Sequence, residues 1–106
     1  MSIKHDRFEE ILKHLAAEFL KAESNRTSLI TITRVSATEK GDFATIYFTV
    51  LPENKEEAAL DFLKRQRSAF RDYAKDHARL MRVPFFDFEI DRGERARQRI
   101  DESLAR

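Results

Sequence analysis

Two runs of alternating residues, separated by one short polar loop, constrain this chain more than any other feature. From Ser28 the apolar residues recur with period two: Leu29, Thr31, Thr33 and Val35 fall on one side, and Ile30, Ile32 and Arg34 on the other. After Thr38-Glu39-Lys40-Gly41-Asp42 the alternation resumes, with Ala44, Ile46, Phe48 and Val50 on one face and Phe43, Thr45, Tyr47, Thr49 and Leu51 on the other. Side chains two apart share a face of a strand, and β-branched and aromatic residues fit the pleated surface. The pattern therefore predicts a β-hairpin with Gly41 in its loop. The second strand is apolar on both faces, so it is expected to be central in its sheet or flanked by another element. Phe86, Phe88 and Ile90 repeat the signal once more near the C-terminus.

Helical spacing fills the rest. Phe8, Ile11, Leu12, Leu15, Phe19 and Leu20 predict an amphipathic helix over 6–23, with Asp6 and Glu9 as a capping pair and Glu23-Ser24-Asn25-Arg26 as its end. Pro52 closes the second strand. Asn54, with Glu57 three residues on, is expected to cap a helix whose buried side is Ala59, Phe62, Leu63 and Gln66. Phe70, Tyr73, Ala74, His77, Leu80 and Met81 keep the helical period on a shifted face, and Pro84 stops them. Two helices therefore meet near Gln66-Arg67-Ser68 with no loop between them, and should form one bent unit. The tail from Arg92 is charged without a clear period and is expected to be loosely held. The order helix, strand, strand, helix, helix, strand places the third strand parallel to the second after a helical crossover. The expected architecture is a single α+β domain over 1–106, with a three-stranded mixed sheet and helices on one face.

Few catalytic chemistries are open to such a chain. With no cysteine there is no thiolate nucleophile, thiolate metal site or disulfide. Gly41 and Gly93 stand alone, so no glycine loop cradles a phosphate. The serines occupy no nucleophile signature. His5 and His14 lack ligand spacing, and His77 reads as a hydrogen-bonded core histidine. Asp87, Glu89 and Asp91 alternate along the last strand and read as a solvated face, with a cation or acid–base role as the alternative. No cofactor or metal is expected, and an enzyme is disfavoured. The N-terminus has no apolar segment of a secretory signal, and no run approaches the roughly 18 apolar residues of a membrane span.

The net charge is only +1, but the charges are unevenly placed. Residues 64–82 carry Lys64, Arg65, Arg67, Arg71, Lys75, Arg79 and Arg82 against Asp72 and Asp76, seven positive and two negative, or +5. Arg71, Lys75 and Arg79 stand at i, i+4 and i+8, which on one helix makes a row about 12 Å long. Lys64 and Arg65 flank the joint on the preceding helix, and Arg67 sits in it. Such a cluster is a candidate footprint for nucleic-acid phosphates. A solvated face, with Asp72 and Asp76 pairing locally to Lys75 and Arg79, is the competing reading.

The chain resembles the ribosome-binding factor A family over nearly its whole length. Thr31-Ile32-Thr33-Arg34-Val35 resembles the family's first strand, and Ala44-Thr45-Ile46-Tyr47-Phe48-Thr49-Val50 its second. Arg71 stands where a helical arginine is usual. Arg79-Leu80-Met81-Arg82-Val83-Pro84 with Phe86 and Phe88 resembles the helix end and third strand, and Asp91 with Arg99-Ile100 the closing signature. The resemblance implies a type II KH-like fold. It also implies a non-enzymatic factor that binds the free small ribosomal subunit and assists late maturation of its ribosomal RNA, notably in the cold. The family's kinked joint carries Ala-x-Gly; here the joint reads Gln66-Arg67-Ser68, with neither small residue.

The expected partners are accordingly the small ribosomal subunit and its rRNA, met by a cytoplasmic monomer through Lys64, Arg65, Arg67, Arg71, Lys75 and Arg79, with Gln66 and Ser68 shaping the joint. The alternative is a protein-interaction module that uses the sheet face opposite the helices, anchored by Phe43, Tyr47 and Leu51.

Overall fold

The structure, a computed structural model, describes residues 3–23, 29–80 and 82–104. Its elements are α1 (Ile3–Glu23), β1 (Leu29–Ala37), β2 (Phe43–Leu51), a short 3-10 helix (Glu53–Lys55), α2 (Glu56–Arg65), α3 (Arg67–His77), β3 (Phe85–Ile90) and α4 (Arg92–Leu104). The sheet order is β1-β2-β3, with β1 antiparallel and β3 parallel to β2. This is the expected type II KH-like arrangement, extended by α4.

Each helix of the expected layer contributes one apolar stripe. Leu12, Leu15, Ala16, Phe19 and Leu20 of α1 join Ala59 and Leu63 of α2 and Phe70 and Ala74 of α3. They close over Ala44, Ile46, Phe48 and Val50 of β2 and Phe86 and Phe88 of β3. Phe70 is the hub of the aromatic part, with ring centroids 4.5 Å from Phe86 and 5.3 Å from Phe19.

β1 departs from strict alternation. Its register slips between Ile32 and Arg34, so Thr33 is an extra residue, a β-bulge. A one-residue slip exchanges the two faces of everything beyond it. Ile30 and Ile32 lie opposite Val50 and Phe48, while Val35 and Ala37 lie opposite Ile46 and Ala44. All four therefore reach the helix-covered face, and Val35 is not on the side opposite Ile32, as simple alternation has it.

Helix ends also differ from expectation. α1 begins at Ile3, so Asp6 and Glu9 lie inside it. The Glu9 carboxylate instead accepts the Ala37 N–H at 2.8 Å, tying α1 to the end of β1. Of Glu23-Ser24-Asn25-Arg26, read as the helix end, Glu23 is the last residue of α1 and the other three lie outside the described residues. Asn54 sits in the 3-10 helix, and Lys55 precedes α2 without a side-chain cap. α3 stops at His77 because Ala78 is extended (φ −142°, ψ 146°). Arg79 and Leu80 favour helix intrinsically, but Leu80 and Val83 pack against the core. Leaving the stripe early exposes His77. It is not a core histidine; its ring stacks on Tyr73 at 3.9 Å.

The tail is helical rather than loose. Asp91-Arg92-Gly93-Glu94 has the Asp-x-x-Glu spacing of a capping box, and Asp91 Oδ1 accepts the Glu94 N–H at 3.1 Å. Arg95 and Arg99, one turn apart, pair with Glu56 and Glu53 at 2.8 and 2.7 Å. Gln98 donates to Thr49 at 3.4 Å, which brings α4 against the sheet face that the other helices leave open.

Asp91 joins three elements. Besides capping α4, its Oδ2 accepts the Thr33 hydroxyl at 2.6 Å and lies 3.4 Å from Arg34 Nε. Its own N–H donates to the Phe48 carbonyl at 2.8 Å. Burial pushes the carboxyl pKa up, but the Thr33 and Glu94 hydrogen bonds and Arg34 outweigh it, and the net shift is downward from 3.8. A depressed folded pKa means the ionised group stabilises the fold above its unfolded pKa, and this is lost as pH falls through the folded value. Asp91→Asn keeps the shape but loses the charge, and one amide nitrogen then faces donors. We expect a cost of about 2 kcal/mol in urea melts at neutral pH. The difference from wild type should shrink as the pH falls below about 4, with the carboxylate's reference value the guide. A constant difference across that range would remove Asp91 ionisation from the account.

Candidate nucleic-acid interface

α2 and α3 meet at one non-helical residue. Gln66 has φ −92° and ψ 2°, and it both ends α2 and starts α3. Its N–H donates to the Leu63 carbonyl at 2.9 Å and its carbonyl accepts the Phe70 N–H at 2.8 Å. Backbone bonding thus continues through the bend without a glycine. Arg67 and Ser68 are the first residues of α3.

The six basic residues singled out from sequence fall into two groups. Lys64, Arg67 and Arg71 are engaged by the fold. Lys64 Nζ lies 3.0 Å and Arg67 Nη1 3.5 Å from Asp87 Oδ1, at the edge formed by β3. Asp87 is held below the usual carboxylate range: burial raises it, but the Lys64 and Phe88 hydrogen bonds and the two cations outweigh that. Arg67 Nε also donates to the Lys64 carbonyl at 3.0 Å. Arg71, expected on the exposed side, is half-buried. It donates to the carbonyls of Pro84 at 3.2 Å and Val83 at 3.0 Å, and its guanidinium lies 4.3 Å from the Phe85 ring centroid. The chain entering β3 presents these carbonyls before its ladder begins, and a guanidinium fork satisfies both.

Arg65, Lys75 and Arg79 are exposed and have no ion-pair partner among the described residues. Neither Asp72 nor Asp76 pairs with Lys75 or Arg79 there. Because α3 ends at His77, Arg79 lies beyond the helical row. The row at i, i+4, i+8 is instead Arg67, Arg71 and Lys75, shifted one turn toward the joint and still about 12 Å long. The alternating carboxylates divide as well: Asp87 and Asp91 are internal anchors, and Glu89 is exposed.

The apolar anchor expected on the open sheet face is not contiguous. Tyr47 lies under Arg34, whose guanidinium is 3.7 Å from the ring centroid. Phe43 and Leu51, 43% and 46% exposed, stand at opposite ends of β2, roughly 26 Å apart at 3.3 Å per residue. Sequence reasoning misses the parts played by α4 and Asp91, although the Asp91–Glu94 box and the Arg95–Arg99 spacing are signals that could find them.

Comparison with known proteins gives one consistent result. The profile of ribosome-binding factor A matches residues 4–104. A ribosome-binding factor A of Fervidobacterium nodosum is 32% identical over 78 residues, covering 73% of this chain and 62% of that protein. The chain thus spans just under two thirds of that relative's length. The crystal structure of ribosome-binding factor A from Thermus thermophilus superposes with TM-score 0.73 at 25% identity, covering 81% of this chain and 94% of that one. A homology model of the Thermus thermophilus factor, fitted into a cryo-EM map of its complex with the 30S subunit, gives TM-score 0.69 at 26% identity. It covers 79% of this chain and 91% of that one.

Proposed function

The chain belongs to the ribosome-binding factor A family, and on that footing we propose that it binds the free small ribosomal subunit and assists late maturation of its rRNA. It acts by occupancy, without catalysing a reaction, as a cytoplasmic monomer. The observation that carries this reading is the likeness, at TM-score 0.69, to a factor fitted into a map of its complex with the 30S subunit. The basic surface around the α2–α3 joint is the contact to rRNA. Arg65, Lys75 and Arg79, without ion-pair partners among the described residues, offer their charge to phosphates, and the Arg67–Arg71–Lys75 row follows a strand. Phosphate contacts position a protein and carry little sequence information. Specificity then comes from the shape of the folded RNA.

Deleting the gene tests the maturation role. Small-subunit rRNA with unprocessed ends should accumulate, more so in the cold, when mapped by primer extension. It should disappear on complementation with the intact chain. Normal processing at every temperature would remove this part of the reading.

A further inference from the structure

We infer that Phe43 and Phe85 form a stacking platform for an unpaired RNA base, beside the α2–α3 joint. The inference rests on the rRNA-binding reading above and adds a site and a ligand class to it.

Phe43 opens β2 and Phe85 opens β3, and they are direct partners in the parallel register. Partner residues on adjacent strands share a face about 4.8 Å apart. Both rings are exposed, Phe43 by 43% and Phe85 by 62%. Single exposed apolar residues are ordinary; here two exposed phenylalanines are register partners at one end of the sheet and offer ring faces to a base. They do not stand alone. Phe43, Phe85, Arg67, Ser68, Arg71 and Asp72 line one open hollow, so the platform and the joint share a site. Arg71 supports the Phe85 ring from 4.3 Å and keeps it in place through its bonds to Val83 and Pro84.

Charge selects the occupant. Arg67 and Arg71 each commit two donors to the protein, and a guanidinium has five. Both keep donors for a phosphate next to the stacked base. Asp72 is the one acid in the hollow, and the surrounding 64–82 segment carries +5, from seven bases and two acids. An aromatic face bordered by guanidinium groups is the combination that binds single-stranded nucleic acid without sequence preference. A purely apolar protein contact would leave these cations desolvated against it.

The test is binding of a fluorescein-labelled eight-nucleotide oligouridine by anisotropy at several salt concentrations. The variants are Phe85→Leu, Phe43→Leu and Phe85→Tyr, each checked by thermal melt. Leucine keeps apolar bulk and removes the ring. Either leucine variant should bind about five- to a hundredfold more weakly, with the salt slope unchanged because no phosphate contact is lost. Phe85→Tyr should bind like wild type. An abasic oligomer of the same length should bind wild type as weakly as oligouridine binds Phe85→Leu. The platform is overturned if both leucine variants bind within twofold of wild type, if the abasic oligomer binds as well as oligouridine, or if wild type does not bind oligouridine. Small-subunit binding that persists in those cases leaves the rRNA reading standing. Loss of subunit binding in Phe85→Leu with oligouridine binding intact would assign the patch to a protein contact instead.

Discussion

Phe48→Ala should destabilise the fold by about 3–5 kcal/mol, the usual cost of emptying a buried aromatic site. Phe48 is fully buried in the central strand, between Ile32 of β1 and Ile90 of β3 in the register. Its carbonyl also accepts the Asp91 N–H that starts the path into α4. Neighbours on both flanking strands limit collapse into the cavity. Domains of this size are stable by roughly 5–15 kcal/mol, so the loss is a large share of the total. Urea melts read it as a shift in midpoint at constant slope. A change below about 1 kcal/mol would mean that Phe48 does not occupy the core.

Elements with one clear period are legible in the sequence. The β2 faces, most of the apolar stripe of α1 and the hairpin follow from spacing, and the parallel return of β3 from the helical crossover; Ile11, expected in the α1 stripe, is instead 38% exposed. Features set by a single contact are not legible in this way. The bulge at Thr33 leaves a trace in the spacing of Ile30, Ile32, Val35 and Ala37, but nothing in composition marks it. Spacing makes α3 too long because Ala78, Arg79 and Leu80 all favour helix, and the pull of Leu80 and Val83 toward the core is tertiary. α4 escapes because its inner face is polar: Arg95, Gln98 and Arg99 meet Glu56, Thr49 and Glu53, so no apolar stripe announces it.

The candidate site is legible in charge and not in geometry. Sequence locates the basic cluster at the helix joint. It does not distinguish Arg71, which holds the entry to β3, from Lys75, which has no ion-pair partner among the described residues, since both are long cations one turn apart. Asp87 has the same ambiguity: period two suggests a solvated strand face, whereas Lys64 and Arg67 fold back onto it.

This division decides which residues test the interface. Replacing Arg71 would loosen β3 and confuse stability with binding. Arg65, Lys75 and Arg79 are exposed and make no such bond among the described residues, and surface changes of this kind usually cost no more than about 0.5 kcal/mol each. Reversing all three to Glu should therefore leave the melt close to that of wild type. If each contacts a phosphate, the losses should sum to on the order of a hundredfold in affinity, at about 1 kcal/mol per contact. The salt slope should fall by about 2–3 units, since each contact contributes roughly 0.7–0.9. A misfolded protein would fail at every salt concentration, so the slope separates lost contacts from general damage.

Sedimentation of the wild-type chain and this triple variant with purified small subunits, across a salt series, tests the central claim most directly. Wild type should travel with the small subunit at low salt and leave it steeply as salt rises. The variant should bind far more weakly and with a shallower slope. Equal binding and equal slope for the two proteins, or wild type remaining unbound at every salt concentration, would contradict the assignment of this surface to ribosomal RNA.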